Sequence, residues 1–227
     1  MDASKLYEAV DDVVRRRRTE KVIGDVDNPL PLPPEVAARN NARLMEALKA
    51  SGWAPFHFQR GVDDLVEPWR AHVLWQESAC KLARSLRDDH GIKSKLPKLA
   101  AGCSAMVLMT WLPEFYDEAA REASNLSRDK QLMHDEEHLA AASAMVQTFL
   151  LLLTAHSMVN YWSSGGPLRE PEMLDLLSVP RGERLLGVIF VEYPEMRKNF
   201  DDDPRDRRVS ARRDRRSEDG WIREVTL

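Results

Sequence analysis

Pro180-Arg181-Gly182-Glu183-Arg184-Leu185-Leu186-Gly187-Val188-Ile189-Phe190-Val191-Glu192-Tyr193-Pro194 is the stretch on which the fold turns. Leu185 to Val191 is apolar and carries β-branched and aromatic side chains, the composition that fits a pleated, buried surface. Pro194 cannot donate to a sheet ladder, so a strand over Arg184 to Tyr193 ends there. Shorter apolar runs, Ala71-His72-Val73-Leu74-Trp75 and Ala105 to Leu112, read as further strands, with Ser78 to Arg87 helical between them.

Working outward, Leu139 to Trp162 contains no Asp, Glu, Lys or Arg, and its length could span a bilayer. Ser143, Gln147, Thr148, Thr154, His156, Ser157 and Asn160 recur along it, and unpaired polar groups are costly in hydrocarbon, so a helix buried in a soluble core or dimer interface is expected. Ser163-Ser164-Gly165-Gly166-Pro167 should terminate that helix, and Pro171 to Leu177 suits a short one. Glu114 to Glu137 is charged and helix-prone, with a break at Asn125-Leu126-Ser127.

Near the N-terminus, Leu6, Val10, Val13 and Val14 recur at helical spacing, predicting a helix from about Lys5 to Arg17 whose basic end matches the helix dipole. Asn28-Pro29-Leu30-Pro31-Leu32-Pro33-Pro34 forces an extended connector. A second helix then begins near Glu35, presents Val36, Leu44, Met45 and Leu48 on one face, and stops at Ser51-Gly52, where glycine permits a left-handed closing residue. Residues 197–216 mix Arg with Asp and read as an extended charged arm, and 220–227 as a terminal strand seeking a sheet edge, on another subunit if none is free in its own.

The 227 residues, 43% of them hydrophobic, suit one compact domain. A net charge of -4 excludes a uniformly basic nucleic-acid-binding surface, so any phosphate site must be local. Cys80 and Cys103 form neither a disulfide framework nor a zinc motif, and Met1-Asp2-Ala3-Ser4 opens without a secretory apolar core, which together favour a reducing cytoplasm. Four consecutive arginines, Arg15 to Arg18, close the first helix, and by themselves they are better explained by solvation at a helix C-terminus, where positive charge is stabilising, than by phosphate binding.

In chain order these segments resemble the nitroreductase family of flavoproteins. Where the family has a motif like R-R-S-x-R after its first helix, this chain has Arg17-Arg18-Thr19-Glu20-Lys21. Where it has A-P-S-x-x-N-x-Q-P-W, or A-P-D-H before Q-P-W, this chain has Trp53-Ala54-Pro55-Phe56-His57 and then Glu67-Pro68-Trp69-Arg70-Ala71-His72-Val73, across a longer spacer, 58–66. An aromatic, a polar pair and glycine recur as Trp162-Ser163-Ser164-Gly165-Gly166, and P-x-G-E-x-x-x-G-x-I-x-x-G-Y-P is matched by Pro180 to Pro194 except at Glu192, which stands for the usual glycine.

The resemblance implies an α+β nitroreductase-like fold, a mainly antiparallel sheet flanked by helices, in a single domain over 1–227. It implies a homodimer with FMN sites at the interface, the long apolar helices packed together and the C-terminal strand exchanged. Cofactor-binding positions carry over to Arg17, Arg18, Thr19, Lys21, His57, Glu67, Trp162, Ser163, Ser164, Gly165 and Gly166, with Arg212 or Arg213 completing a phosphate site. Guanidinium groups and a hydroxyl suit phosphate oxygens, whereas Glu67 replaces a Gln and can only accept hydrogen bonds when ionised.

The implied activity is ping-pong hydride transfer from NADH or NADPH through FMN to nitroaromatics, quinones or related electron-poor molecules, with dehalogenation or enone reduction as alternatives on the same fold. It needs no catalytic side chain and no metal. Lys21, Arg18 and the amides of Ser164 to Gly166 are candidates for stabilising charge on a reduced ring, and the substrate pocket is expected between about Trp111 and His134. Rival readings are a nucleic-acid binder using the arginine-rich segments and a membrane-associated protein built around Leu139 to Trp162. The many aspartates of the arm and the strand signals count against them respectively.

Overall fold

The computed structural model describes residues 2–60, 66–197, 203–211 and 221–225. Their helices and strands run in the order α1 (Ala3–Arg16), β1 (Glu20–Ile23), α2 (Pro34–Ser51), β2 (Trp69–Trp75), α3 (Gln76–Asp88), α4 (Leu96–Gly102), β3 (Ala105–Trp111), α5 (Glu118–Glu122), α6 (Arg128–Ala155), β4 (Val159–Ser163), α7 (Pro171–Leu176), β5 (Arg184–Glu192) and β6 (Asp206–Val209). Four strands form an antiparallel sheet ordered β2-β3-β5-β4, and β1 pairs antiparallel with β6 in a separate ribbon.

The decisive stretch is β5, and its continuous apolar character has a simple cause: both of its faces are covered. Ile189 and Val191 join Ala105, Val107 and Met109 of β3 in a core closed by α2 and α6. Val188 and Phe190, with Met106 and Leu108, face a second core closed by α3, α4 and α7. Side chains alternate across a strand, so a sheet sandwiched between two helical layers needs apolar residues at every position.

The uncharged segment divides differently from the expectation. The helix ends at Ala155, and Val159–Ser163 is instead edge strand β4, paired with β5. The stop is a Schellman closure: Ser157 takes a left-handed φ of 59°, its N–H donates to Thr154 O (2.9 Å), and Met158 N–H donates to Leu153 O (2.9 Å). Serine rather than glycine supplies the reversal, which hid it. The glycine-rich segment therefore follows a strand, and turns the chain into a 3-10 turn at Gly166–Arg169.

Helix α2 ends where expected, but Gly52 has φ -64° and closes it in right-handed geometry. Helix α4 joins β1 at close quarters: a Cβ on Gly102 would stand 2.5 Å from Val22 O. Within the charged arm, Asp206–Val209 pairs with β1 residue by residue, from Glu20 opposite Val209 to Ile23 opposite Asp206. Residues 221–225 form no strand within this chain, and Trp221, Ile222 and Val225 are exposed.

Helix α6 is long and apolar enough to cross a membrane, yet Phe149, Leu150 and Leu153 on its inner face are buried against the sheet, and 44% of its most apolar window is covered. Leu132, Met133 and Leu139, nearer its N-terminal end, are exposed. Helix α1 buries no residue at all, leaving Leu6, Tyr7 and Val10 more than half exposed.

Candidate functional site

The four arginines closing α1 separate into two pairs. Arg15 and Arg16 stay on the helix, bound to Asp11 (2.6 Å) and Asp12 (2.8 Å) in exposed pairs. Backbone torsions at Arg17 (φ -55°, ψ 121°) leave the helix and swing Arg17 and Arg18 toward β1. The Arg18 Nη1 donates to the carbonyl of Arg15 (2.7 Å), and Arg17 Nη1 lies 3.4 Å from Thr19 Oγ1.

These residues open onto a cavity of about 670 Å³ lined by Arg17, Arg18, Thr19, Lys21, Tyr161, Trp162, Ser164 and Ser210. Residues from the end of α1, from β1, from β4 and its loop, and from the end of β6 converge there. The Lys21 Nζ sits 4.7 Å from the centroid of the Tyr161 ring, which stacks at 5.9 Å on Phe190. Ser210 N–H donates to Thr19 O (2.9 Å) and extends the β1–β6 ribbon to the cavity wall. Three cations and four hydroxyl-bearing side chains line the space and no described carboxylate does, so it is built for an anion with several acceptor oxygens.

The loop after β4 is held in a conformation that requires its glycines. Gly165 has φ 93°, and a Cβ there would come within 2.6 Å of Leu185 Cδ2; Gly166 has φ 52°. Gly165 N–H donates to Ser163 Oγ (3.3 Å), while Arg169 donates to Ser164 O (2.7 Å) and Leu186 O (3.0 Å), tying the loop to β5.

Beneath the β1–β6 ribbon lies a buried ionic cluster. Arg207 bonds both carboxylate oxygens of Glu192 (2.6 and 2.8 Å), Asp203 (2.8 Å) and Glu20 (3.1 Å). Arg205 reaches Glu192 (2.7 Å) and Asp203 (2.8 Å), and its side chain is 4% exposed. Burial works against ionisation of Asp203, but hydrogen bonds from the Arg205 side chain, the Arg205 N–H and the Arg207 side chain outweigh it and hold the carboxyl at about 2.

The glutamate of the Pro180-Arg181-Gly182-Glu183 segment is structural. Buried at the start of β5, it pairs with Arg70 (2.7 Å) and His72 (2.7 Å) on β2 and accepts from Thr110 Oγ1 (2.5 Å) on β3. Burial raises its pKa, and the bonds from His72 and Thr110, with the charge of Arg70, more than reverse that. A second cleft of about 510 Å³ between α7 and β5 includes Glu183. Its lining mixes Arg169, Arg181 and Arg184 with the carboxylates of Asp175 and Glu183, unlike that of the first cavity.

Of the residues singled out from sequence, Arg17, Arg18, Thr19, Lys21, Trp162 and Ser164 line one cavity, with Ser163, Gly165 and Gly166 shaping its loop. His57 lies apart, in a shallow apolar groove with Pro55, Phe56, Glu137, Ala140, Ala141 and Ala144. Glu67 is exposed and lines neither. Arg212 and Arg213 lie outside the described residues. Tyr161 and Ser210 were not singled out; the first was hidden in the supposed helix and the second in the supposed arm.

No protein-family model matches the chain, and no curated protein matches it. Solved structures do. The nitroreductase CinD of Lactococcus lactis in complex with nicotinic acid is 15% identical, with 96% of this chain and 99% of that one aligned at a TM-score of 0.56. A nitroreductase-like family protein of Bacillus cereus is 19% identical over 81% and 84% of the two chains, at 0.54. A nitroreductase with bound FMN from Bacteroides fragilis is 14% identical over 96% and 98%, at 0.51.

Proposed function

From the premise that the chain has a nitroreductase-like fold, we propose that it is an FMN-dependent NAD(P)H oxidoreductase whose cavity at Arg17, Arg18 and Lys21 holds the flavin phosphate. The observation that carries the reading is the convergence of these cations with Thr19, Ser164 and Ser210, from separate segments, in a chain of net charge -4. FMN when bound supplies reversible hydride chemistry, which a side-chain acid–base pair need not assist.

Each residue then has a definable task. Arg17 and Arg18 neutralise the phosphate dianion, with Thr19 and Ser210 adding hydroxyl donors. Lys21, held over Tyr161, adds a third cation at the β1 wall. Trp162 supplies an aromatic wall and Ser164 a hydroxyl donor, on a loop whose turn Gly165 and Gly166 make possible. The acceptors proposed are nitroaromatics, quinones and related electron-poor small molecules, with NADH or NADPH as donor.

The working unit we propose is a homodimer. Leu6, Tyr7 and Val10 on α1 and Leu132, Met133 and Leu139 on α6 are exposed in one chain, and Trp53, beside the groove of His57, is 91% exposed. A second copy would cover these side chains and would bring His57 and Glu67, which line no cavity with Arg17 in their own chain, to the partner's site. Residues 220–227 would complete the exchange as a strand on the partner's sheet.

Purification in the absence of added flavin, followed by absorbance and light scattering, tests both parts. The expected sample is yellow, binds one FMN per chain and has the mass of a dimer. A colourless monomer that cannot be reconstituted with FMN overturns the reading.

A further inference from the structure

Residues 203–211 of the charged segment are locked onto the sheet beside the cavity. Arg207 is the centre of the lock. Its side chain is 7% exposed and simultaneously engages Glu192 at the end of β5, Glu20 on β1 and Asp203 in its own segment. Glu20 lies between Thr19 and Lys21, two residues lining the cavity, and Ser210 follows β6 and bonds the backbone of Thr19. One guanidinium thus ties together the strand that carries two anion-binding groups, the segment that carries a third, and the central sheet.

We infer that Arg207, with Glu192 and Glu20, is a positioning residue that sets the site's selectivity for the phosphorylated form of its flavin, a role resting on the flavin reading above. None of the three side chains needs to touch the ligand. Glu192, buried at the end of β5 and paired with both Arg205 and Arg207, is the fixed anchor for the segment that carries them. Removing one partner of a buried ion pair leaves an uncompensated charge, so each charge in such a cluster is held to the few arrangements in which it is matched. The geometry specified is the spacing of Thr19, Lys21 and Ser210 around the phosphate.

The consequence is confined to the phosphate. Loosening β1 against β6 displaces the Lys21 ammonium and the Ser210 hydroxyl, which riboflavin does not use, while Thr19, bridged to Asn160 on β4, and the aromatic wall formed by Trp162 stay on the main sheet. The ratio of FMN to riboflavin affinity therefore reads the lock directly. A loss of folded protein lowers both affinities together and leaves the ratio alone.

Flavin-fluorescence titrations of wild type, Arg207→Met, Arg207→Lys and Glu20→Ala, each with FMN and with riboflavin, test this. Arg207→Met is expected to reduce the ratio by about tenfold or more, the loss of at least one charge-assisted hydrogen bond to phosphate. Glu20→Ala, which removes the tie to β1 and leaves Glu192 paired, should reduce it in the same sense, and Arg207→Lys should restore part of it. Should Arg207→Met fail to fold, Glu20→Ala decides alone. A wild-type ratio in the folded variants overturns the inference; a wild-type protein that binds both flavins equally, or neither, strikes at the phosphate reading of the cavity instead.

Discussion

The indole Nε1 of Trp162 occupies the place a Cβ on Gly187 would take, with Ser163 O 2.6 Å from the same point. Edge strand β4 can lie against β5 at that height only because residue 187 has no side chain. We expect Gly187→Ala to push Trp162 and the loop it precedes out of the cavity wall, costing about 1–3 kcal/mol as overpacking does. Gly182→Ala, where a Cβ meets nothing within 4 Å, is the matched control and should change stability by less than about 1 kcal/mol. Urea unfolding and FMN retention of the two variants check this, and equal behaviour of both would remove Trp162 from the wall.

The division of the arginines at the end of α1 makes a second expectation. Arg17→Ala should leave a folded protein whose FMN affinity falls about tenfold or more, the worth of a charge-assisted bond to phosphate. Arg16→Ala removes an exposed pair with Asp12, worth about 0.3–0.5 kcal/mol, and should leave flavin affinity at the wild-type value. Equilibrium dialysis of the two variants compares them; equal losses would mean that the basic cluster acts only through its overall field.

How much of this was legible beforehand depends on which signal each residue carried. The apolar run of β5 announced itself because burial on both faces leaves no polar interruption. The extent of α6 did not, because Ser157 makes the left-handed turn that glycine usually marks, so the helix seemed to continue through Val159–Ser163. Tyr161 was concealed by the same error. Arg205 and Arg207 looked solvated, since nothing local shows that their carboxylate partners Glu20 and Glu192 lie up to 187 positions away. The residues we propose for phosphate binding, after α1 and on β1, were singled out through their order among other motifs rather than from their own chemistry, which an ordinary helix end shares.

Acid should act on the structure in two separable steps. His138 is buried on α6, and desolvation lowers its pKa below 6.5 despite Glu114, Asp135 and the backbone at Leu112, which favour its charged form, while His134 opposes it. The unfolded chain therefore takes up a proton first, so the stability His138 contributes is complete above about pH 6.5 and declines as pH falls below it. Asp203, held at about 2 against an ordinary 3.8, contributes stability that is present above 3.8 and is lost as pH falls toward 2. Thermal unfolding midpoints across pH 8 to 2 should show both declines. His138→Leu should flatten the upper one and Asp203→Asn the lower, and an unchanged profile in either variant would assign that decline to other groups.

The exposed face of α1 yields the last expectation. Leu6 and Val10 are 52% and 55% exposed on a helix that buries nothing in its own chain. An isolated helix of 14 residues is marginal in water, so the order of α1 calls for cover that a second copy would provide. Leu6→Glu/Val10→Glu places two carboxylates on that face without touching the cavity, and burying an unpaired charge at an interface is strongly unfavourable. We expect light scattering to show the double variant as a monomer at concentrations where wild type is a dimer. FMN affinity should fall with it, because α1 leads directly into Arg17 and Arg18. A double variant that stays dimeric with full flavin content would place the subunit interface elsewhere and leave α1 ordered by its contacts with α6 alone.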